Sequence, residues 1–239
     1  MNASRTARER ARAELTREIT ATARSHLATH GAAGLSLRAV ARDLDMVSSA
    51  IHRYFPSKDD LLTALIVEGY DVLGTAVEDA EAECPRSHYR SRWLTVCRAV
   101  RAWALDHRHE YALIYGSPVP GYAAPQETIA PAGRAVAAAG RVVAEAHAQK
   151  ALRTPEGFPV PSTEFAPDAE RMRAIVPGVP DETAARLATA WTGVFGWVSF
   201  ELFGQFANVV LQRENAFEHH AACLAHLVGV VDVEAGELG

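Results

Sequence analysis

Helical periodicity runs through nearly the whole of this 239-residue chain, and it constrains the fold more than any other feature of the sequence. Apolar residues recur at steps of three and four, and the first predicted helix shows the pattern at Leu15, Ile19, Ala23 and Leu27. No segment sustains the alternation of a half-buried strand, and no Asn-Gly or Asp-Gly pair marks a hairpin. The sequence therefore predicts an all-α protein.

Caps, glycines and prolines divide this pattern into about nine helices. The predicted helices cover about residues 7–29, 37–45, 48–54, 58–81, 89–106, 110–115, 128–152, 181–212 and 215–231, and Ser36 is the expected N-cap of the second. Ser57 and Asp60 form the pattern of a capping box at the start of the fourth helix. The stretch 153–180 holds six prolines and shows little periodicity, so it is predicted to be a long loop.

Charge is unevenly distributed along the chain. The formal net charge is −5, which by itself argues against a general nucleic-acid binder. Residues 1–60 nevertheless hold ten Lys and Arg against seven Asp and Glu, so this part carries +3 and the rest of the chain carries −8. A small DNA-binding module joined to an acidic body would have this distribution.

Other residue types exclude several classes of protein. Cys84, Cys97 and Cys223 are an odd number without close spacing, so they predict neither a disulfide framework nor a zinc site. The first twenty residues lack the apolar segment of a secretory signal. The longest run without charge in the apolar part of the tail, 187–200, is shorter than the roughly 20 residues that span a bilayer. We expect a cytoplasmic protein with no metal, no cofactor and no membrane partner.

Residues 36–54 have the lengths of a helix-turn-helix, in which two short helices are joined by a three-residue turn and flanked by longer helices. In such an arrangement the second short helix can enter a major groove of DNA. The apolar residues predicted to pack its small core are Leu37, Val40, Ala41, Leu44, Ile51 and Phe55.

Residues 34–62, GLSLRAVARDLDMVSSAIHRYFPSKDDLL, resemble the signature of the TetR family of bacterial regulators in helix lengths, turn, aromatic pair and Phe-Pro-Ser-Lys link. The resemblance spans about residues 12–66. It implies a three-helix DNA-binding domain, residues 1–57, followed by a larger helical domain, residues 58–239, for ligand binding and dimerisation. The fourth helix, residues 58–81, would bridge the two.

The resemblance also implies which side chains bind DNA. They are Ser36, Arg38, Ser48, Ser49, His52, Arg53, Tyr54 and Lys58. Those between 48 and 53 would face the major groove, whereas Ser36, Tyr54 and Lys58 would hold phosphates and Arg38 would contact a base or a phosphate. A solvated helix face is the alternative interpretation of Arg38 and Arg53.

Three residues depart from the family's usual pattern. Asp45 stands in the turn where glycine is common, and it would need a left-handed conformation. Val47 replaces a common Ser or Thr cap, which leaves Ser48 as the expected cap of the third helix. His52 replaces a frequent tyrosine, so its DNA contact would be pH-sensitive or weaker.

Three segments of the second half, residues 101–107, 115–122 and 191–196, resemble the carboxy-terminal domain called WHG, which occurs in one branch of TetR regulators. Trp191 and Gly196 match the Trp and Gly of that name, whereas Phe195 holds the place of the His. The resemblance implies no particular ligand.

The last two predicted helices carry apolar faces broad enough for a dimer. Pairing them with the same helices of a second subunit would form a four-helix interface with two-fold symmetry. The residues predicted to lie in it are Trp191, Val198, Leu202, Phe206, Phe217, Leu224 and Leu227. A dimer would also place two recognition helices in successive major grooves of a pseudo-palindromic operator.

Aromatic residues of the second domain could line an apolar ligand pocket or could simply form its core. The candidates for ligand binding are Trp103, Tyr111, Tyr115, Trp191 and Phe195. The histidines of this domain show no metal-ligand spacing, which favours surface or interface positions.

Together these features predict a repressor that leaves its operator when a small apolar or aromatic molecule binds the second domain and shifts the fourth helix. Such release requires that the ligand bind the two states unequally. One alternative is a DNA-binding protein without a ligand. The other is an enzyme acting on a hydrophobic substrate, for which the sequence offers no nucleophile elbow, P-loop, zincin or dinucleotide motif.

Overall fold

The computed structural model describes residues 2–231, with side chains from residue 7 onward. Within these residues the chain forms ten α-helices and two short 3-10 helices and contains no strand, which confirms the predicted all-α fold. The α-helices are α1 (Asn2–Gly34), α2 (Leu37–Asp43), α3 (Ser48–Ile51), α4 (Lys58–Ala82), α5 (Tyr89–Asp106), α6 (Arg108–Tyr115), α7 (Ile129–Ala148), α8 (Ala166–Arg173), α9 (Asp181–Leu202) and α10 (Arg213–Val228).

The start of α4 lies where the capping box predicts it. The backbone N–H and the hydroxyl of Ser57 donate to Asp60 Oδ2 at 2.8 and 2.6 Å. In return, the backbone N–H of Asp60 donates to Ser57 Oγ at 3.1 Å. These bonds satisfy donors that have no partner within the helix, so the helix begins at Lys58.

The structure corrects the prediction of an unbroken loop over residues 153–180. This stretch contains a 3-10 helix at Thr163–Phe165 and the two-turn helix α8. Pro167 falls in the first turn of α8, where the missing N–H costs nothing because it would have no partner in the helix. A proline in this stretch therefore marks a helix start.

Two predicted helices end four or more residues earlier than expected. The long alanine-rich helix was expected to reach residue 152, but α7 ends at Ala148, shortly before Lys150 adopts a left-handed φ of 56°. The helix predicted over 181–212 ends at Leu202, because Gly204 and Asn208 adopt φ values of 85° and 65° that no right-handed helix contains. Phe206 consequently lies in the turns after α9.

The helices form two compact units. The first comprises Met1–Gly69 and His107–Ile129, and its core contains the fully buried side chains of Ile19, Val40 and Ile51. In this unit α1 packs against α2 and α6, and α2 packs against α3. The unit thus includes α6, which the predicted division after residue 57 assigns to the other domain, because α6 covers a face of α1. That division stays a prediction.

The second unit comprises Tyr70–Asp106 and Ala130–Gly239, and α5, α9 and α10 pack against one another at its centre. Trp93 of α5 is fully buried and donates its indole N–H to the carbonyl of Ala221 in α10 at 3.3 Å. Helix α8 packs against α9. None of the helices in residues 2–231 is long and apolar enough to pass through a bilayer.

A buried ionic cluster joins three parts of the second unit. Arg92 is 0% exposed; its Nε donates to Glu81 Oε1 at 2.5 Å, and its Nη1 donates to Glu145 Oε2 at 2.7 Å. Arg86, which is half exposed, bridges the same two carboxylates from the surface at 2.8 and 2.5 Å. The periodicity of the sequence did not indicate that a charged residue is buried at position 92.

Candidate DNA-binding site

The turn between α2 and α3 is a left-handed helix cap. Asp45 has a φ of 53°, the backbone N–H of Met46 donates to the carbonyl of Ala41 at 2.8 Å, and that of Asp45 donates to Arg42 at 3.1 Å. These are the bonds of a Schellman motif, which requires a left-handed residue at this place. Asp45 therefore adopts the conformation that glycine commonly supplies, as the sequence predicted.

Helix α3 differs from its prediction at both ends. Val47, which is extended with φ −69° and ψ 141°, is the N-cap residue, so Ser48 is not the cap but the first helical residue. As an α-helix α3 ends at Ile51, and residues 52–54 continue it as turns in which the N–H of Tyr54 donates to Ile51 at 2.9 Å. The recognition segment is thus shorter and more tightly wound than predicted.

The residues predicted to form the core and those predicted to bind DNA differ in how exposed their side chains are. Leu37, Val40, Ala41, Ile51 and Phe55 are all at most 7% exposed, whereas Leu44 is half-buried. Every predicted DNA contact is exposed or half-exposed; Arg38, Ser48, Ser49, His52 and Arg53 are exposed, and Ser36, Tyr54 and Lys58 are half-exposed. The polar face of α2 and α3 is therefore open to a partner.

The side chains of two predicted contacts, His52 and Lys58, form hydrogen bonds within the protein. His52 Nδ1 lies 3.0 Å from the carbonyl oxygen of Pro56, which can only accept, so this nitrogen donates and Nε2 is left for an external group. Lys58 Nζ donates to the carbonyl of Ala33 at 2.8 Å and so holds the end of α1, just after the break that Gly31 makes in that helix at φ 65°. The prediction that Lys58 binds a phosphate did not foresee this internal bond.

A buried histidine fixes α2 against α1. His26 of α1 is 8% exposed and its Nε2 lies 2.7 Å from Asp43 Oδ2 at the end of α2. The hydrogen bond from His26 lowers the pKa of the Asp43 carboxyl from its ordinary value of 3.8. This pair positions the helix that precedes the recognition segment, and no motif in the sequence indicated it.

Arg12 lies beside the recognition segment, although sequence reasoning assigned it no role. Its Nη2 donates to the carbonyl of Arg53 at 3.1 Å, and its guanidinium carbon lies 5.1 Å from the centre of the Tyr54 ring. The amino-terminal part of α1 therefore runs next to two residues that are predicted to bind DNA.

Two family models match this chain. The model described as bacterial regulatory proteins, tetR family, matches residues 19–65, and the model described as tetracyclin repressor-like, C-terminal domain, matches residues 93–224. The chain belongs to the TetR family. It is a DNA-binding transcriptional regulator with a helix-turn-helix, and the resemblance to that family in the sequence is confirmed. The narrower resemblance to the WHG domain stays a prediction.

Relatives of this chain are named as helix-turn-helix transcriptional regulators. This TetR-family chain is 40% identical over 208 residues to the HTH-type transcriptional regulator Mb1846 of Mycobacterium bovis, and the match covers 85% of this chain and 87% of the relative. The HTH-type transcriptional regulator Rv1816 of Mycobacterium tuberculosis matches with the same values.

Solved structures show the same fold. The regulatory protein SCO4313 superposes with a TM-score of 0.74 at 29% identity, and the match covers 91% of this chain and 98% of that one. The TetR family transcriptional regulator PfmR from Thermus thermophilus superposes with a TM-score of 0.57 at 14% identity, covering 90% and 99%. The second likeness concerns the fold alone.

The candidate ligand-binding aromatics occupy different environments. Trp103 and Tyr111 are buried at 3% and 0% exposure, whereas Tyr115, Trp191 and Phe195 are half-buried. In the first unit the Tyr111 and Tyr115 rings are tilted against each other with centres 5.0 Å apart, and in the second unit Trp191 meets Phe195 edge-on at 5.1 Å. Each pair is one turn apart on its own helix.

The second unit has an open cavity of about 1040 Å³ that these aromatics do not line. Its polar lining includes Arg86, Arg90, Glu145, Lys150 and Arg153. A smaller cavity of about 390 Å³ in the first unit is lined by residues of the link that precedes α4 and of α4 itself, among them Phe55, Thr63 and Val67. In residues 2–231 no group of three or more His, Cys, Asp or Glu is arranged to hold a metal.

The predicted dimer residues divide into two sets. Val198, Phe217 and Leu224 are at most 9% exposed within a single chain, and Leu224 packs on Gly193, so these three belong to the core that joins α9 and α10. Trp191, Leu202, Phe206 and Leu227 are half-buried and keep surface for a partner. The last turn of α9 and the connection to α10 expose further apolar residues, which are Phe200, Phe203, Val209 and Leu211.

Proposed function

We propose that this TetR-family regulator is a repressor that binds a pseudo-palindromic operator as a homodimer and is released when a small apolar or aromatic molecule binds its carboxy-terminal domain. The observation that carries the DNA-binding part is the open polar face formed by Arg38, Ser48, Ser49 and Arg53 on a buried apolar core. Side chains on such a face can reach base edges and phosphates together.

The operator part is tested by selecting bound sequences from random duplex DNA with the full-length protein. We expect an inverted repeat whose half-sites lie about one or more helical turns apart. Arg53→Ala should weaken binding of the selected duplex by about thirtyfold or more, because each arginine contact to DNA contributes about 1–3 kcal/mol and the dimer loses two of them. Arg17→Ala, an exposed arginine elsewhere on α1, is the matched control. Failure to enrich any sequence with folded protein would refute this part.

The homodimer is supported by the exposed apolar residues around the α9–α10 connection, since patches of this kind commonly mark interfaces. TetR-family regulators dimerise, and the half-buried Leu202 and Leu227 fit such an interface. Sedimentation equilibrium should give twice the chain mass for the wild type and a weaker dimer for Leu202→Asp. A monomer that still binds the operator tightly would contradict the proposal.

Release by a ligand is supported by the half-buried aromatics, because Tyr115, Trp191 and Phe195 present ring surface that is not enclosed in the core. A thermal-shift screen of small apolar and aromatic compounds should find one that raises the melting temperature. That compound should then weaken operator binding, and an operator affinity that stays constant at saturating compound would refute release.

A DNA-binding protein without a ligand is the second candidate. The burial of Trp103 and Tyr111 favours it, since both side chains have the exposure of ordinary core residues. A screen without any stabilising compound would support this alternative. We do not propose catalysis, because the relatives whose names state a function are transcriptional regulators.

A further inference from the structure

The excess positive charge of the DNA-binding head lies at one end of one helix. Residues 2–12 contain four arginines and one glutamate, a balance of +3. Residues 13–60 contain six basic and six acidic residues, so the rest of the DNA-binding head, which includes the helix-turn-helix, has no net charge. The charge asymmetry that suggests a DNA-binding head thus resides in the first three turns of α1 and not in the recognition segment.

This end of α1 is held next to the recognition segment by Arg12. The bond from Arg12 Nη2 to the carbonyl of Arg53 and the packing of its guanidinium over the Tyr54 ring fix the helix at that point. Tyr54 is half-exposed and Arg12 is exposed, so both can reach a partner that lies along this edge of the head.

The helix continues beyond Arg12 with a second exposed arginine on the same side. Arg8 lies one turn earlier, about 6 Å along the axis and about 40° around it. Arg10 is also exposed, but it lies about 160° around the helix from Arg12 and faces away. Arg8 and Arg10 are thus both exposed and carry the same charge, but they occupy different sides of α1.

We propose that Arg8 and Arg12 bind DNA phosphates that flank the major groove entered by the recognition segment. This inference rests on the proposed function, because it requires that residues 48–54 dock in that groove. Arginine suits the role, since its guanidinium can donate two bonds to one phosphate and stays charged at any physiological pH. The contacts extend the protected DNA beyond the bases that the head reads and add affinity without adding sequence preference.

The test compares Arg8→Ala with Arg10→Ala in the full-length protein. Fluorescence anisotropy measures binding to the selected operator, with several extra base pairs on each side, over a series of salt concentrations. Each phosphate contact contributes about 0.9 to the slope of log affinity against log salt, so a dimer that loses two contacts should lose about 1.8. Affinity near physiological salt should fall about ten- to thirtyfold for Arg8→Ala.

The same loss is expected on a random duplex, because phosphate contacts do not depend on sequence. Arg8→Lys should recover most of the slope, and Arg10→Ala should match the wild type. Circular dichroism should show unchanged helix content for all three variants, since these side chains are exposed.

Three results would overturn the inference. If Arg8→Ala binds like the wild type, the arginine makes no contact. If Arg8→Ala and Arg10→Ala weaken binding equally, the loss reflects the net charge of the head and not a contact made by one side of α1. If the wild type itself binds no duplex with a steep salt dependence, the proposed function fails, and that failure is distinct from either of the other two.

Discussion

Replacing Arg92 with methionine should lower the free energy of unfolding by about 3 kcal/mol. Removing one partner of a buried ion pair commonly costs about 3–5 kcal/mol, because the remaining charge stays buried without compensation. Arg92 has no exposed surface and the Glu81 side chain is only 4% exposed, so the pair is of the buried kind. Glu81 retains its bond from Arg86 at 2.8 Å, which places the expected cost at the lower end of that range.

Two companion variants separate burial from charge. Arg86→Ala removes bonds to the same carboxylates, but its side chain is 54% exposed, so we expect a loss below about 1 kcal/mol. The double variant Arg92→Met, Glu81→Met removes both buried charges and should lie within about 1 kcal/mol of the wild type, since apolar replacement of a buried pair is often neutral or favourable.

Urea unfolding followed by circular dichroism gives these free energies, and all variants need the same protein concentration because a dimer's stability depends on it. In thermal melts the loss for Arg92→Met corresponds to about 6–12 °C. If Arg92→Met costs no more than Arg86→Ala, then burial does not determine the contribution of this cluster and the reasoning is wrong.

Three further predictions concern the DNA-binding head. Lys58→Ala should lower the unfolding free energy by about 1 kcal/mol through loss of the bond to Ala33, and should reduce the salt slope of operator binding by about 1.8 per dimer; an unchanged slope would assign Lys58 to the fold alone. Asp45→Gly should leave stability unchanged or raise it by up to about 1 kcal/mol in thermal melts, whereas Asp45→Val should lower it by more than about 1 kcal/mol, because φ is 53° there. Since the hydrogen bond from His26 lowers the pKa of Asp43, the charged form adds stability above the ordinary value of 3.8 that is lost as the pH falls through the lower pKa of the folded protein. The stability difference between wild type and Asp43→Asn should therefore be constant down to about pH 5 and shrink below about pH 4, and a difference that does not change in acid would refute the assignment.

Local signals in the sequence were sufficient to predict helix ends where neighbouring residues supply the hydrogen bonds of the helix. The capping box at Ser57 and Asp60 gave the first residue of α4, and the helical pattern gave both ends of α5. Such signals failed where a left-handed backbone angle determines the end of a helix. The end of α9 depends on left-handed Gly204 and Asn208, which interrupt a pattern of apolar residues that continues to Leu211.

Contacts between distant residues account for most of what the sequence could not predict at the candidate site. The polar face of α2 and α3 follows from a motif of about thirty residues, so its members could be named in advance. Arg12 and Arg53 are 41 residues apart, and nothing in either segment indicates the other. Val198 and Phe217 were assigned to a partner surface by their apolar character, but periodicity cannot say whether the covering helix comes from the same chain or from another.

The chain passes between the two compact units three times, after residues 69, 106 and 129. A chimera that exchanges only a leading segment such as residues 1–57 would therefore place a foreign α1 against the resident α6. The foreign α1 and the resident α6 would not have evolved to pack against each other. The chimera would therefore unfold less cooperatively, and this loss of stability would obscure any change in DNA specificity. To transfer the DNA specificity of this regulator to another protein, both segments of the first unit, Met1–Gly69 and His107–Ile129, must be exchanged together.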